Sequence, residues 1–525
     1  MKSRFDVAIV GGGLNGLVTA GYLARKGRSV VVLEQANQVG GTASTIEVAP
    51  GFRGPAALDS LELFHPSIVK DLQLKKHGLK MQRRGGLLLP REGEPALLLD
   101  SEADLAQQIG QFSREDVAPF AEFNRFLGRV SKALDPALTK PLAELPPNGI
   151  GGIRNHLRLG CKLRRLGKHD MPEALRFLPT NVKDVLDERF EDDSLKAALA
   201  GSALRAAWMG PRSAGSAYSL LHHNPHWAGG LVPSTAFASG LPEALASSAR
   251  AAGLEIRTEA TVQRIAVEAG RTTGVVLDDG TEIKSKIVVS AVDPRRTFLD
   301  LTGSEWLDPA FVEAVTQIRG RGSVSIIRLA LDRLPQFTGA PEGDRPLSGR
   351  IQIGNTMDTL ERAFDDAKYG RVPEIPFLTA TIPSLADPTL APEGKHVMIV
   401  WAQFTSPRLR ESDWSEQREA LGDLVVSLLE QHAPGLASSI LHRQVETPAD
   451  LEERFGLTDG CLDHVELALD QLLYMRPVPG WYKHQTPIER LYLCGPGTHP
   501  GGAGTGLSGK CAASQILKDL KRKGG

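Results

Sequence analysis

Short apolar runs and longer helical stretches divide the chain into blocks. Residues 5–10 form an unbroken apolar run rich in β-formers, which predicts a buried strand. Residues 14–26 follow with helical spacing and close on Gly27, a glycine suited to a helix C-terminus. Residues 29–33 are a second apolar β run, and Glu34 ends it. From there the character changes. Residues 103–204 read as mostly helical, with proline-rich joints such as 136–148, and residues 237–252 read as a further helix. Strand-length runs recur at 255–257, 261–267, 274–277 and 281–290, with Asp278-Asp279-Gly280 as a hairpin signal between two of them. Residues 322–331, 350–353, 377–382 and 396–404 lie between Pro/Gly/Asp turns and suit an antiparallel sheet, with a helix at 415–432 against it. The chain closes with a strand at 491–494, a glycine-rich loop at 495–506 and a helix at 507–520.

The first strand, helix and second strand carry chemistry. Gly11, Gly13 and Gly16 form G-x-G-x-x-G between strand and helix. Gly11 makes the tight turn, Gly13 lets backbone approach a pyrophosphate, and Gly16 lets the helix pack on the strand. Leu14 and Asn15 begin the helix, whose N-terminal N–H groups face the phosphates. Glu34 falls where a carboxylate binds a ribose hydroxyl pair. A structural glycine turn is the bland alternative to this dinucleotide site. The same motif serves FAD and NAD. Val39-Gly40-Gly41-Thr42 resembles the double-glycine motif of FAD-containing oxidases and desaturases, and it favours FAD.

The glycine-rich loop near the C-terminus supplies the other half of the expected site. With so few side chains, its backbone can press against a ligand, which makes Gly495, Gly497, Gly502, Gly504 and Thr505 candidate cofactor contacts. Pro496 stands where similar flavoproteins often carry an acid, so backbone N–H groups are expected to hold the ribityl chain. His499 lies in the same loop, either bonded to a main-chain carbonyl or placed as a polar group near the flavin ring. Residues 260–262 resemble the strand whose backbone meets adenine in FAD proteins, which adds Val262 to the set.

The chain has 525 residues and a formal net charge of −1, enough for a large core and without a global attraction to nucleic acid. None of its four cysteines forms C-x-x-C, which argues against a dithiol redox pair and fits a reducing compartment. Neither a secretory signal nor an apolar run of membrane-spanning length is visible. The middle carries no second G-x-G-x-x-G after a strand, which argues against a stable NAD(P)H site. Trp208, Met209, His222, His223, His226 and Trp227 cluster as core aromatics or as a substrate lining. Adjacent His222 and His223 point apart, so no metal site is expected. His499, His222 and His223 are the candidate catalytic bases. Residues 154–168 carry six Lys or Arg residues. Arg154, Arg158, Lys162 and Arg165 share one helical face and Leu159, Leu163 and Leu166 another, a pattern of either a solvated helix or a helix lying on an anionic membrane.

Across nearly its whole length the chain resembles the phytoene dehydrogenase-related flavoproteins of the carotenoid desaturase and isomerase superfamily. The resemblance rests on the two glycine motifs and on Asp71-Leu-Gln-Leu-Lys-Lys-His77-Gly-Leu79, Tyr218-Ser-Leu-Leu-His-His223, Asp387-Pro-Thr-Leu-Ala-Pro392, Leu469-Asp-Gln-Leu472 and Arg476-Pro-Val-Pro479, followed by Leu491-Tyr-Leu-Cys-Gly495 and His499-Pro-Gly-Gly502. It implies bound FAD and an α/β fold: a glutathione-reductase-like FAD/NAD(P)-binding Rossmann-like domain, of the amine oxidase and phytoene desaturase type, with an interleaved α+β substrate domain. The expected cofactor domain spans 1–100, 226–310 and 480–525. The substrate domain takes 101–225 and 311–479, with a helical subdomain near 101–210. The expected activity is desaturation or oxidation of an apolar, lipid- or polyene-like substrate by hydride transfer to flavin, with oxygen or a quinone as electron acceptor. The alternatives are a redox-neutral isomerase using reduced FAD and a flavin-stabilised interaction protein with little turnover. The expected location is cytoplasmic or peripheral to the inner face of a membrane, and mitochondrial in a eukaryote.

Overall fold

The computed structural model of the protein describes residues 4–91, 93–100, 105–147, 149–231, 235–237 and 240–523. Expectations at residues 103–104, 148 and 238–239 lie outside the described residues. Two seven-stranded sheets organise the chain. At the centre of the first are β1 (Arg4–Val10) and β2 (Val30–Leu33), joined by helix α1 (Leu14–Ala24). β1 runs parallel to β2 on one side and to the Glu282–Ser290 strand on the other. The Leu491–Leu493 strand joins parallel to Val288–Ser290. Val10 is in register with Leu33 and Ser290, and Ser290 with Leu493. Four loops therefore leave the sheet at one carboxyl edge, the place where open parallel sheets bind ligands. The strands Val262–Glu268 and Arg271–Leu277 extend this sheet antiparallel, through the expected hairpin at 278–280.

The second sheet runs in the order Ile440–Glu446, Val324–Leu331, His396–Gln403, Phe377–Thr381, Arg350–Ile353, Leu87–Arg91, Glu94–Leu99. Its strands alternate strictly. Ile351, Ile353, Leu378, Ala380, Met398 and Val400 point to one face, in a core shared with the Trp414–His432 helix. Arg350, Gln352, Thr379, Thr381 and Gln403 lie at the intervening positions, where Gln352 donates to Ala197 O, Gln403 accepts from the Ala206 N–H and Arg350 binds Glu62. Helices α2 (Val117–Leu138), α3 (Gly149–Arg164) and α4 (Ser216–His223) belong to a helical layer between residues 105 and 231. The C-terminal helix α5 (Leu507–Lys523) returns to α1. There the Gly509 N–H donates to Asn15 Oδ1 (3.0 Å) and Thr19 Oγ1 donates to Gly509 O (3.0 Å), so the two ends of the chain are bonded together.

Three expectations are corrected. The strands at 87–99 lie inside the block assigned to the cofactor domain, yet Leu87 and Leu88 pair with Arg350 and Ile351 in the second sheet. The helix expected from 237 begins at Leu241, because Gly240 has φ +77° and Pro242 suits only a first turn; Thr235–Phe237 is instead a strand against Gln82–Arg84. Pro136 is no joint but sits in the last turn of α2.

Candidate cofactor and active site

The loops at the carboxyl edge of the first sheet enclose a cavity of about 290 Å³. Gly11, Gly13, Leu14, Asn15, Gly16, Glu34, Gly41, Thr42, Val262 and Gly504 all line it. The three motif glycines do separate jobs. Gly11 has φ +94°, a left-handed conformation. A Cβ on Gly16 would lie 2.2 Å from the Gly11 carbonyl oxygen, so α1 packs directly on the turn. A Cβ on Gly13 would meet nothing within 4 Å, because that position opens onto the cavity. The residues thus form a cradle that side chains would fill, of the kind a dinucleotide pyrophosphate needs at a helix N-terminus.

Glu34 is buried, and its carboxylate accepts from the N–H groups of Gly12 (2.7 Å) and Ala36 (2.9 Å). Burial raises its pKa, with the Ala36 and Gly12 donors acting the other way. The double glycine closes over the motif. The Gly40 N–H donates to Gly12 O at 2.9 Å, and a Cβ on Gly41 would stand 3.3 Å from the Gly13 Cα.

The remaining expected cofactor contacts lie just outside this lining. A Cβ on Gly40 would strike Pro242, one on Gly495 would strike Ala291 O, and one on Gly497 would strike Pro294. Gly502 packs against His222, whose Nε2 would be 2.4 Å from a Cβ there. Thr505 borders a second, smaller chamber on the far side of the C-terminal loop. That chamber is lined by Leu134, Leu138, Tyr218, Leu221, His222 and Trp227 against Pro500 and Gly501.

The three candidate bases separate. His499 is fully buried and donates from Nε2 to Ala137 O at 2.8 Å, which ties the glycine loop to the end of α2. Burial depresses it to about 4, against the pull of that carbonyl. His223 bonds through Nδ1 to Ala203 O (3.2 Å) and Ser219 Oγ (3.3 Å). His222 alone faces the smaller chamber. Its Nε2 is buried without a partner among the described residues, and burial, helped by the Arg476 charge, depresses it to about 4.

The sequence reading did not anticipate the strip from Arg454 to Leu457 with Leu462 and His464, which forms one cavity wall. Its only local marker is the glycine-bearing turn at 456–460, where Gly456 and Gly460 both have positive φ. Leu58 also lines the cavity. Just beyond Leu58, Asp59 and Glu62 bind Arg205, and Glu62 also binds Arg350 at 2.6 Å. All four are buried. Burial alone would raise the Glu62 carboxyl, but Arg350 and Arg205 overcome it and hold it at about 2. Arg476, also fully buried, pairs with no carboxylate among the described residues. It donates instead to the carbonyls of Asp463, Val465, Glu466, Gln471 and Pro496.

Residues 9–66 match the family described as NAD(P)-binding Rossmann-like domain. The pyridine nucleotide-disulfide oxidoreductase domain-containing protein 2 of Rattus norvegicus is 39% identical over 550 residues, covering 99% of this chain and 94% of that protein. A lycopene-forming phytoene desaturase of Pantoea ananas is 25% identical, covering 98% of this chain and 99% of its own. Among solved structures, cyclohexylamine oxidase from Brevibacterium oxydans has the same fold. Its TM-score is 0.59 at 14% identity, over 99% of this chain and 100% of that one.

Proposed function

The chain belongs to the family of pyridine nucleotide-disulfide oxidoreductase domain-containing protein 2, and on that premise we propose that it is an FAD-dependent oxidoreductase that desaturates or oxidises an apolar substrate. The observation that carries this reading is the single cavity lined jointly by Gly13, Glu34, Gly41, Val262 and Gly504. When bound, FAD would supply an acceptor for a hydride from a substrate carbon. The N-terminus of α1 would hold the pyrophosphate and Glu34 the ribose. The apolar walls of Leu134, Leu138, Leu221 and Trp227 would orient the substrate and exclude water. His222 is the group placed to accept a proton, at Nε2. No step through a disulfide is proposed. All four cysteines are free, and burial raises the Cys494 and Cys511 thiols to about 12. Electrons would leave to oxygen or a quinone, since no second nucleotide fingerprint follows a strand in the sequence.

Chromatography of the flavin released by denaturation tests the cofactor: FAD is expected, and FMN or a colourless protein would overturn the reading. Anaerobic stopped flow tests the reaction. Flavin bleaching by an apolar substrate, with slow or no bleaching by NADPH, is expected. Turnover only after prior reduction would instead make the protein an isomerase.

A further inference from the structure

A cavity of about 650 Å³ opens on the helical layer, away from the cofactor cavity. Lys140, Arg154, Arg158, Lys162 and Arg165 line it, and no carboxylate among the described residues does. None of these five cations has an ion-pair partner among the described residues. Asp135 and Glu144, close in sequence to lining residues, are engaged elsewhere, Asp135 with His65 at 3.5 Å and Glu144 with Lys483 at 2.6 Å. Asp135 is close enough to Lys162 to feel its charge. Five cations without an ion-pair partner around one hollow repel each other, and an anion relieves that repulsion.

The same hollow is apolar at its rim. Leu157 and Tyr474 line it, Ile153, Leu473 and Met475 are chain neighbours of its lining residues, and Leu145 lies two residues past the lining Ala143. Leu145, Ile153, Leu157, Leu473 and Met475 are 41–62% exposed. These residues come from two distant segments held together by built contacts. Tyr482 accepts the Leu145 N–H at 3.0 Å and stacks edge-on against Tyr474, while buried Arg476 anchors the end of the 469–475 loop. Soluble surfaces do not gather exposed large apolar side chains around a cationic hollow without a ligand to match both.

We propose that this basin binds an anionic amphiphile, a long-chain molecule with a carboxylate or phosphate head. The head would sit among Arg154, Arg158, Lys162 and Arg165, and the chain would lie along Leu157 and Tyr474. This goes beyond the flavin reading and does not depend on it. The α2 turn that floors the basin through Pro136 and Ala137 presents Leu134 and Leu138 to the smaller chamber, so the two hollows lie on either side of one helical turn.

Cys161 provides a direct reporter, because it lines the basin and is the exposed cysteine, whereas Cys461, Cys494 and Cys511 are buried. The rate of its modification by an aromatic disulfide reagent is measured on the full chain, with a Cys161→Ser variant as background. Oleate below its micelle-forming concentration is expected to slow the reaction at least tenfold. Oleyl alcohol and inorganic phosphate, each carrying half of the recognised chemistry, are expected to slow it less than threefold. The fourfold variant Arg154→Glu, Arg158→Glu, Lys162→Glu, Arg165→Glu should abolish oleate protection. A fourfold Gln variant, milder toward folding, should reduce it at least fivefold. Equal protection in wild type and both variants would overturn the proposal, as would no protection by oleate. Protection by phosphatidylglycerol vesicles without protection by monomeric oleate would also overturn it, and would make the basin a membrane contact.

Discussion

A methyl group has opposite consequences at Gly13 and Gly16, though they are one helical turn apart. At Gly16 it would collide with the Gly11 carbonyl at 2.2 Å, so α1 would have to lift off β1. At Gly13 the space is open, and φ −66° suits any L-residue, so the methyl enters only the cavity. Gly16→Ala is expected to lower stability by about 1–3 kcal/mol. Gly13→Ala should change it by less than about 0.5 kcal/mol while still weakening FAD binding. Thermal melts of the flavin-free variants beside FAD titrations check both halves. A Gly13→Ala protein with normal FAD affinity would move the pyrophosphate elsewhere. Glu34→Ala removes the acceptor for Gly12 and Ala36 as well as the expected ribose contact. FAD affinity should fall by about 1.5–3 kcal/mol, the range for hydrogen bonds to charged groups. An unchanged dissociation constant would confine Glu34 to holding the turn.

Among the elements, the C-terminal loop depends on one side chain outside it. Arg476 bonds to the carbonyl of Pro496 and to four carbonyls between 463 and 471, which fixes the glycine loop against the cavity wall that carries His464. Carbonyls left buried without donors are costly, so Arg476→Met should lower stability by roughly 3 kcal/mol. Hydrogen exchange should speed up at 463–471 and 494–500 before it does in β1. Unchanged protection there would mean the loop is held by its own packing. This arrangement also explains what the sequence could disclose. The strands at 4–10, 350–353 and 377–381 are legible because both faces are buried or alternate strictly. The hairpin Thr45–Ala49 with Phe52–Pro55 and the edge strand Ile440–Glu446 are not. In the edge strand Leu441 is exposed and Arg443 is tied to Asp423 and Glu419, so no apolar rhythm survives. Gly11, Gly13 and Gly16 announce themselves by spacing, since a left-handed turn at Gly11, open cavity space at Gly13 and close packing at Gly16 each exclude a side chain. His464 and Leu462 give no such signal, because an irregular loop delivers them. The pairing of 87–99 with Arg350 is a contact across more than 250 residues, which local pattern cannot encode.

The molecule as a whole buries several histidines that water would otherwise let titrate near neutral pH. His223, His484 and His499 are all buried and held neutral. Burial depresses His499 to about 4 and His484 to about 3, and it holds His223 well below its ordinary value. In the unfolded chain each takes up a proton near pH 6.5. Between that pH and the folded values the unfolded state therefore binds more protons, and stability falls as pH falls. These three alone give a slope of up to about 4 kcal/mol per pH unit near pH 5, and His222 and His464, which burial also depresses to about 4, add to it with the same sign. Glu62 acts with the same sign lower down. Its folded value of about 2 lies below that of the free carboxyl, so the stability from its pairing with Arg350 and Arg205 is lost as pH falls from about 4.5 toward 2. Glu34 and Asp463 oppose the trend, because burial raises both and protonation then favours the folded state. Two carboxyls do not offset these histidines, whose titration starts two pH units higher. The melting temperature should be level from pH 8 to 7 and drop steeply below pH 6. His499→Asn, which keeps a side-chain donor for the Ala137 carbonyl and cannot titrate, should make that descent shallower by about 1.4 kcal/mol per pH unit. A wild-type melting temperature that stays level down to pH 4.5 would show that these imidazoles protonate in place, and that water reaches the loop between α2 and the cofactor cavity.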